Sequence, residues 1–419
     1  MATLRKPVIL RRCAPLRVVH VITRFIRGGA DENTLLTCNG QAARGHHVTL
    51  VYGAQFHPTM VERLDPRVER VCLEALVRPL NPVKDLSAAF QLWRLFRRMR
   101  PELVHTHESK AGIVGRVAAW AAGVQMIVHG VHILAFLNVG RALRFIYLGA
   151  ERAMAPLTHA FVDVSEGMRA ICLEHGIGKA RDHFVVASGM DVESFRTAQP
   201  VTGIEFANLL PPALDSWDGA QIVLMAAAFE ERKRHAPFLA AFAKVARACP
   251  KAVLVLAGEG PLVERVRHEA VRLDIADRVA FIGFSSELAR WLRRADVCVL
   301  ASEREGLPRA LVQYALAGSP IVTTRLPGVE QIVADKRTGF VVDTVEGMAE
   351  PIIALLNDAG LRQRLSQAAA GLDLSAWSSE RMIASLEQIY AQLAARARTA
   401  QRASDVARVA SQRGAGPGA

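Results

Sequence analysis

Short, uninterrupted apolar runs recur along this chain and alternate with longer segments whose apolar residues return at helical spacing. An unbroken apolar run suits a parallel strand covered on both faces, and the helical spacing suits a helix lying on such a sheet. In the first half, strands are predicted at 16–23 (LRVVHVIT), 47–53, 70–75, 102–107 (ELVHTH), 125–132 (QMIVHGVH), 159–165 and 183–188. Helices are predicted between them, near 30–43, 83–99, 110–122, 140–155 and 166–175. The rhythm stops over 196–220, where Pro200, Pro211 and Pro212 interrupt a stretch without apolar period, and this segment is read as a linker. It restarts with strands at 221–229, 252–260, 278–284, 297–302, 320–324 and 339–343. Helices alternate with these near 236–248, 261–273, 286–295, 307–317 and 328–334, and two long helical segments follow at 345–370 and 376–402. Repeated strand–helix alternation predicts an α/β chain with two doubly wound, Rossmann-like parallel sheets. The expected domains are 1–195 and 221–390, with a helix end over 391–419 whose last residues, 402–419, lack an apolar face and are expected to be unstructured. Two such domains are expected to face each other across a ligand cleft.

Composition narrows the class. Half of the 419 residues are apolar (51%), enough for two cores. The six cysteines stand far apart with no CxxC pair, which points to reduced packing residues and away from a disulfide framework or zinc site. The N-terminus is broken by basic residues and no long uncharged apolar stretch follows, so neither a signal peptide nor a membrane span is expected. A net charge of +12 asks for an anionic partner, unless it reflects general solubility from scattered arginines. Zinc-finger spacing and RNP-like aromatic motifs are absent, so nucleic acid is not the expected partner. An anionic membrane surface fits better, because 85–100 mixes Phe90, Trp93 and Phe96 with Arg94, Arg97, Arg98 and Arg100, and 142–152 is a weaker segment of the same kind. A plain surface helix with a core-facing aromatic stripe explains 85–100 equally well.

The densest chemistry lies in DVCVLASEREGLPRALVQYALAGSPIVTT, 296–324: a buried strand, an acidic turn at Glu305 and Gly306, a helix opened by Pro308, a glycine stop and a second strand. A carboxylate and free backbone N–H groups thus meet at the carboxyl end of a parallel strand, where open α/β sheets bind ligands. Such a place suits a ligand that is part phosphate and part polyol. Arg232, Lys233 and Arg234 follow the first strand of the second half and suit a diphosphate, or form a solvated loop. Gly28 and Gly29 end the first strand's turn and let the backbone approach a bound group. The GEG at 258–260 is read as a turn. Small residues Gly112, Gly115 and Ala118 let the helix expected at 110–122 pack close to the sheet, with Lys110 at its entry in reach of a phosphate. His105, His107, His129 and His132 gather at two strand ends, read as a polar wall with His132 at its edge. A metal is not expected there, because no Asp or Cys ligand accompanies them, and no DxD pair occurs anywhere to hold one.

Taken together, VHTHESKAGIVGRVA, VSEGMRAICLEHGIG, GMDVESF, LAGEGPL, DRVAFIGF and ADVCVLASEREGLPRALVQYALAGSPIVTT resemble the retaining GT-B glycosyltransferases of family 4 over roughly 16–390. The HTHxSKAG form is most similar to the bacterial branch that builds exopolysaccharide, capsule or O-antigen on a lipid carrier. The resemblance implies a GT-B architecture whose second domain holds the nucleotide sugar and whose first holds the acceptor. It implies that Glu305 accepts hydrogen bonds from the donor sugar and that the N–H groups of Gly306 and Leu307 lie near it. It further implies that Lys233, with Arg232 beside it, neutralises the diphosphate, that His132 stands beside the reacting sugar, and that Gly28 and Gly29 close over the diphosphate. Two positions depart from the family pattern: Ala228 stands where an arginine is usual, and Gln313 where a ribose-gripping glutamate is usual. An amide accepts one ribose hydroxyl bond more weakly than a carboxylate does.

The expected function is a metal-independent, cofactor-free transfer of a sugar from a nucleotide-sugar donor, UDP-linked by preference, to a lipid-linked glycan or polysaccharide, with retention. The expected location is cytoplasmic, peripheral on the inner face of the cytoplasmic membrane. The alternatives are a nucleotide-sugar epimerase of the same architecture, for which no carboxylate pair is evident in the sequence, and a weakened binding or scaffold subunit, which Ala228 and Gln313 make conceivable.

Overall fold

Among the described residues all strand pairings are parallel, in two separate sheets. The computed structural model describes residues 14–137, 139–202, 219–305, 308–326 and 328–414, with side chains to 399. Its contacts divide it into one unit of residues 1–189 and 379–419 and a second of 190–378.

The first unit alternates β1 (Arg17–Ile22), α1 (Gly29–Ala43), β2 (His47–Gly53), α2 (Pro58–Glu62), β3 (Glu69–Leu73), α3 (Pro82–Met99), β4 (Leu103–His107), α4 (Ser109–Ala121), β5 (Met126–Val131), α5 (Arg141–Met154), β6 (Ala160–Asp163), α6 (Glu166–Glu174) and β7 (His183–Val185). Its strand order is β3-β2-β1-β4-β5-β6-β7, so the order reverses between β1 and β4. Side chains at that point are fully enclosed: Val19 and Val104 pack under α3 and α4, and Val18, Leu103 and Val128 pack on the opposite face. The close seat of α4 depends on its small residues, as expected. A Cβ on Gly112 would lie 2.4 Å from the His129 ring, and one on Gly115 2.7 Å from the Thr106 methyl.

The second unit contains α7 (Val192–Thr197), β8 (Gln221–Ala226), α8 (His235–Ala248), β9 (Ala252–Ala257), α9 (Val263–Arg272), β10 (Val279–Gly283), α10 (Leu288–Arg294), β11 (Val297–Leu300), α11 (Arg309–Leu316), β12 (Ile321–Thr324), β13 (Gly339–Val342), α12 (Ala349–Asn357) and α13 (Ala359–Ala370). Its order is β10-β9-β8-β11-β12-β13, reversing between β8 and β11. Tyr314 of α11 is fully buried and bridges these two strands, its hydroxyl accepting from Ala226 N at 2.8 Å and donating to Val299 O at 3.2 Å.

Several expectations are corrected. The last helix, α14 (Ser379–Gly414), continues through 402–414, where no regular structure was expected; an Ala- and Arg-rich sequence keeps helical propensity without an apolar face. Residues 415–419 lie outside the described residues. The segment 379–390, assigned from sequence to the second domain, packs on the first unit's sheet. Met382, Ile383, Leu386, Ile389, Tyr390 and Leu393 repeat at helical spacing and cover Val18, Leu103, Val128 and Val162. The expected boundary at 195/196 falls at 189/190, and α7 belongs to the second unit. The expected helix at 328–334 is only a single 3-10 turn, Val329–Gln331. Most of the expected linker, 203–218, lies outside the described residues.

Candidate functional site

Each sheet carries polar chemistry where its strand order reverses, the position at which the two flanking loops diverge and open α/β sheets take ligands. In the second unit those loops follow β8 and β11. The chain leaving β8 is stitched to the GEG segment, with Phe229 N donating to Glu259 O at 2.9 Å. Gly258 has φ +145°, and a Cβ there would lie 2.2 Å from Ala227 O, so the turn requires glycine. A 3-10 turn at Glu231–Lys233 then ends in Arg234, whose left-handed backbone (φ 58°) starts α8.

This turn delivers two of the expected cations to the expected carboxylate. Lys233 Nζ donates to Glu305 Oε1, Arg232 Nη1 donates to Glu305 Oε2 at 3.0 Å, and Ser302 Oγ donates to Oε1 at 2.6 Å. The Glu305 side chain is 7% exposed, Lys233 12% and Arg232 24%. Arg232 Nε also bonds Glu230 Oε2 at 2.9 Å, and Glu303 N donates to Arg232 O, locking the two loops together. The third cation, Arg234, instead faces Glu303. Gln313 is half-buried on α11, one residue before the Tyr314 tether. Ala228 is exposed beside the cluster's loop and supplies no charge. Gly306 and Leu307 lie outside the described residues. Ser302 and Glu230 were not foreseen; both sit within three residues of a foreseen residue, and only the strand-end geometry singles them out.

In the first unit the order reverses between β1 and β4. Gly28 caps α1 and Gly29 is its first residue. A Cβ on Gly28 would stand 2.5 Å from Asp31 Oδ2, so glycine there makes room for a buried carboxyl. Across the reversal stands Glu108, half-buried, held at φ 62° between β4 and α4. A left-handed backbone is strained for glutamate and is held by its surroundings, with Gly112 N bonding Glu108 O at 2.8 Å and Ala111 N bonding Thr23 Oγ1 at 3.0 Å. Lys110 does not reach toward a phosphate: its ammonium donates to Asp85 and to Pro79 O, fastening α4 to α3.

The expected histidine wall divides by strand alternation. His105 and His107 share one face of β4, whereas His129 pairs in register with Thr106 and so points to the other face, bonding Thr106 Oγ1 at 3.0 Å. His20 of β1, aligned with His105, takes its place. His107 Nδ1 and His132 Nε2 lie 3.0 Å apart, and His107 Nε2 and His20 Nδ1 2.9 Å apart. Burial pulls His20 down to about 4 and holds His105 and His107 well below the usual imidazole range, with the neighbouring histidines adding to it. All three are therefore neutral near pH 7.

Burial, with the Glu108 charge second, pushes the Asp31 carboxyl from 3.8 up to about 8. Between those values the folded protein holds a proton that the unfolded chain releases, so stability falls as pH rises through that window. Asp31→Asn has no proton to lose in either state. Its thermal midpoint should therefore fall less than the wild type's between pH ~5 and ~8, by roughly 3 °C, in a fluorescence melt.

Residues 28–189 match the family described as Glycosyl transferase 4-like domain, and residues 210–371 match Glycosyl transferases group 1. The chain belongs to the family 4 glycosyltransferases of GT-B fold. Among curated proteins, this glycosyltransferase is similar to the UDP-Gal:alpha-D-GlcNAc-diphosphoundecaprenol alpha-1,3-galactosyltransferase of Escherichia coli, with 26% identity over 68% of this chain and 73% of that one. It is also similar to the N-acetyl-alpha-D-glucosaminyl L-malate synthase of Bacillus anthracis, with 24% identity over 83% and 90%. Among solved structures, Anabaena HepE in complex with UDP and glucose superposes with a TM-score of 0.73 at 16% identity, over 91% of this chain and all (100%) of that one. WaaG, a glycosyltransferase involved in lipopolysaccharide biosynthesis, gives 0.71 at 15% identity over 90% and 99%. These structural likenesses establish the fold.

Proposed function

We propose that this glycosyltransferase moves a sugar from a UDP-linked donor to a lipid-linked glycan or polysaccharide, with retention and without a metal. The observation that carries this reading is the Lys233–Arg232–Glu305 cluster at the second sheet's reversal point. Two cations there suit a departing diphosphate, and a carboxylate beside them suits sugar hydroxyls. As the anomeric bond breaks, negative charge grows on the phosphate oxygen, and Lys233 and Arg232 stabilise that charge more than they stabilise the bound donor. The leaving oxygen then takes the acceptor hydroxyl's proton on the same face, which preserves configuration without a protein nucleophile. The donor nucleotide is supported by the E. coli relative, whose name specifies UDP-Gal, and by HepE, solved with UDP. The lipid-linked acceptor is supported by the same relative, named for a diphosphoundecaprenol substrate.

The test is calorimetry of the purified protein against UDP, GDP, ADP and their sugar conjugates in metal-free buffer. Saturable binding of UDP alone is expected; binding of none would favour a scaffold subunit, with Ala228 and Gln313 as the places where donor affinity was lost.

A lipid-linked substrate asks for contact with a membrane surface. Among the described residues no helix is long and apolar enough to cross a membrane. Helix α5, the weaker segment in sequence, offers the more exposed apolar face: Phe145 is 79% exposed and Ile146 57%, beside exposed Arg141 and Arg144. In α3, Trp93 and Phe96 turn inward, leaving Leu86 and Phe90 exposed. Replacing both Phe145 and Ile146 by Asp should weaken sedimentation with phosphatidylglycerol vesicles about 30-fold, the loss of two partly inserted apolar side chains.

A further inference from the structure

The buried face of the first sheet holds a hydrogen-bonded chain that ends on His132. Its far end is Tyr390 of α14, which lies outside both family-matched segments. Gln41 Nε2 donates to Tyr390 Oη at 3.2 Å, so the Gln41 carbonyl oxygen faces His20 Nε2 at 2.8 Å. His20, Gln41 and Tyr390 are all 0% exposed, so these links are enclosed by protein.

The direction of each link from Gln41 to His132 follows from that one amide. Gln41 Oε1 only accepts, so His20 carries its proton on Nε2 and presents a lone pair at Nδ1. His107 Nε2 must then donate to His20 Nδ1, which leaves His107 Nδ1 as an acceptor. His132 Nε2 must in turn donate to His107 Nδ1. Neutral His132 therefore has its lone pair on Nδ1. On the other branch Tyr390 Oη accepts from Gln41 and lies 2.7 Å from His105 Nδ1. From Gln41 through His20 and His107 to His132, reversing any one link sets donor against donor or lone pair against lone pair, so these links reverse together or not at all.

We infer that Gln41 and Tyr390 are positioning residues that fix the tautomer of His132 through His20 and His107. The catalytic consequence rests on the proposed role of His132 beside the reacting sugar; the tautomer itself does not.

A buried metal is the competing use of the same side chains, since His20, His105 and His107 each bring a ring nitrogen within 4.8 Å of the others. The 2.9 Å between His20 Nδ1 and His107 Nε2 is hydrogen-bond spacing. Two imidazoles on a tetrahedral zinc, at about 2.0–2.1 Å each, hold their nitrogens roughly 3.3 Å apart. The tighter spacing favours a shared proton.

The test is long-range proton–nitrogen correlation NMR on full-length protein labelled with 15N-histidine, His132 being assigned from His132→Gln. The wild type should show His132 protonated at Nε2 and imine-like at Nδ1. Gln41→Leu and the milder Tyr390→Phe should each mix the two tautomers. Gln41→Glu, whose oxygens still accept from His20, should restore the wild-type pattern. In transfer assays Tyr390→Phe should lower kcat about fivefold with an unchanged KM for the nucleotide sugar, as expected when the ring beside the reacting sugar presents the wrong nitrogen part of the time. A wild-type His132 protonated at Nδ1 would overturn the inference. So would a pattern indifferent to both Gln41→Leu and Tyr390→Phe, or stoichiometric uptake of added Zn2+ that disappears in His105→Gln. Should the protein transfer no sugar at all, the proposed function fails while the NMR pattern still decides the tautomer.

Discussion

Glu305→Gln should bind UDP more tightly than the wild type while transferring sugar roughly 100- to 1,000-fold more slowly. The two effects have opposite signs because the carboxylate has two relationships. In the structure it neutralises Lys233 and Arg232, leaving the trio with a net charge of +1. A diphosphate competes with Glu305 for the same donors. The amide removes that competitor and raises the local charge to +2, so UDP affinity should rise about threefold to tenfold at low salt and less at high salt. Transfer should fall because an amide binds sugar hydroxyls, and an electron-poor anomeric centre, more weakly than a carboxylate does. Lys233→Ala should lose both UDP affinity and rate. Calorimetry with UDP beside a transfer assay separates the two variants. An Glu305→Gln protein that bound UDP more weakly would show that the cations do not face the phosphates.

The largest effect on stability is expected at Arg116→Met. Arg116 is fully buried in α4, donating to Gly112 O at 2.7 Å, Thr158 Oγ1 at 3.2 Å and Glu151 Oε2 at 2.6 Å. Glu151 is 3% exposed and its other oxygen, Oε1, has no hydrogen-bond partner among the described residues. Removing the guanidinium strands a carboxylate in the core, at a cost of about 3–5 kcal/mol. The double variant Arg116→Met/Glu151→Leu should return most of that loss, since it removes both charges at similar volume. Urea denaturation followed by circular dichroism measures both. A double variant as unstable as the single one would locate the cost in the Thr158 and Gly112 bonds instead.

The two sheets were legible in the sequence because parallel strands buried on both faces read as unbroken apolar runs, as in VCVLAS and AVLVLA. The contact of Lys233 with Glu305 was legible only through family resemblance. The residues stand 72 positions apart, and their meeting depends on β8 and β11 being neighbours, which no local pattern specifies. His129 was misplaced because residue spacing gives alternation within a strand, while the register between strands decides which face each set shares. For α14 the amphipathic stripe was plain, but a stripe does not say which sheet it covers. The buried ends of the histidine chain, Gln41 and Tyr390, carried no signal; an isolated polar residue on an apolar helix face looks like noise until its partners are in place.

The assignment of α14 to the first unit has a consequence for how the protein is made. A ribosome emits residues 14–189, with every strand of the first sheet, and then the whole of 190–378 before the helix that covers that sheet. Until then Val18, Leu103, Val128 and Val162 lack the apolar stripe of α14 that completes their cover, and His105 has no tyrosine. The second unit, continuous in sequence, can finish while the first waits open. Exposed strand faces of that kind attract other nascent chains and the chaperones that shield them. The first unit is thus the one that starts earliest and completes last.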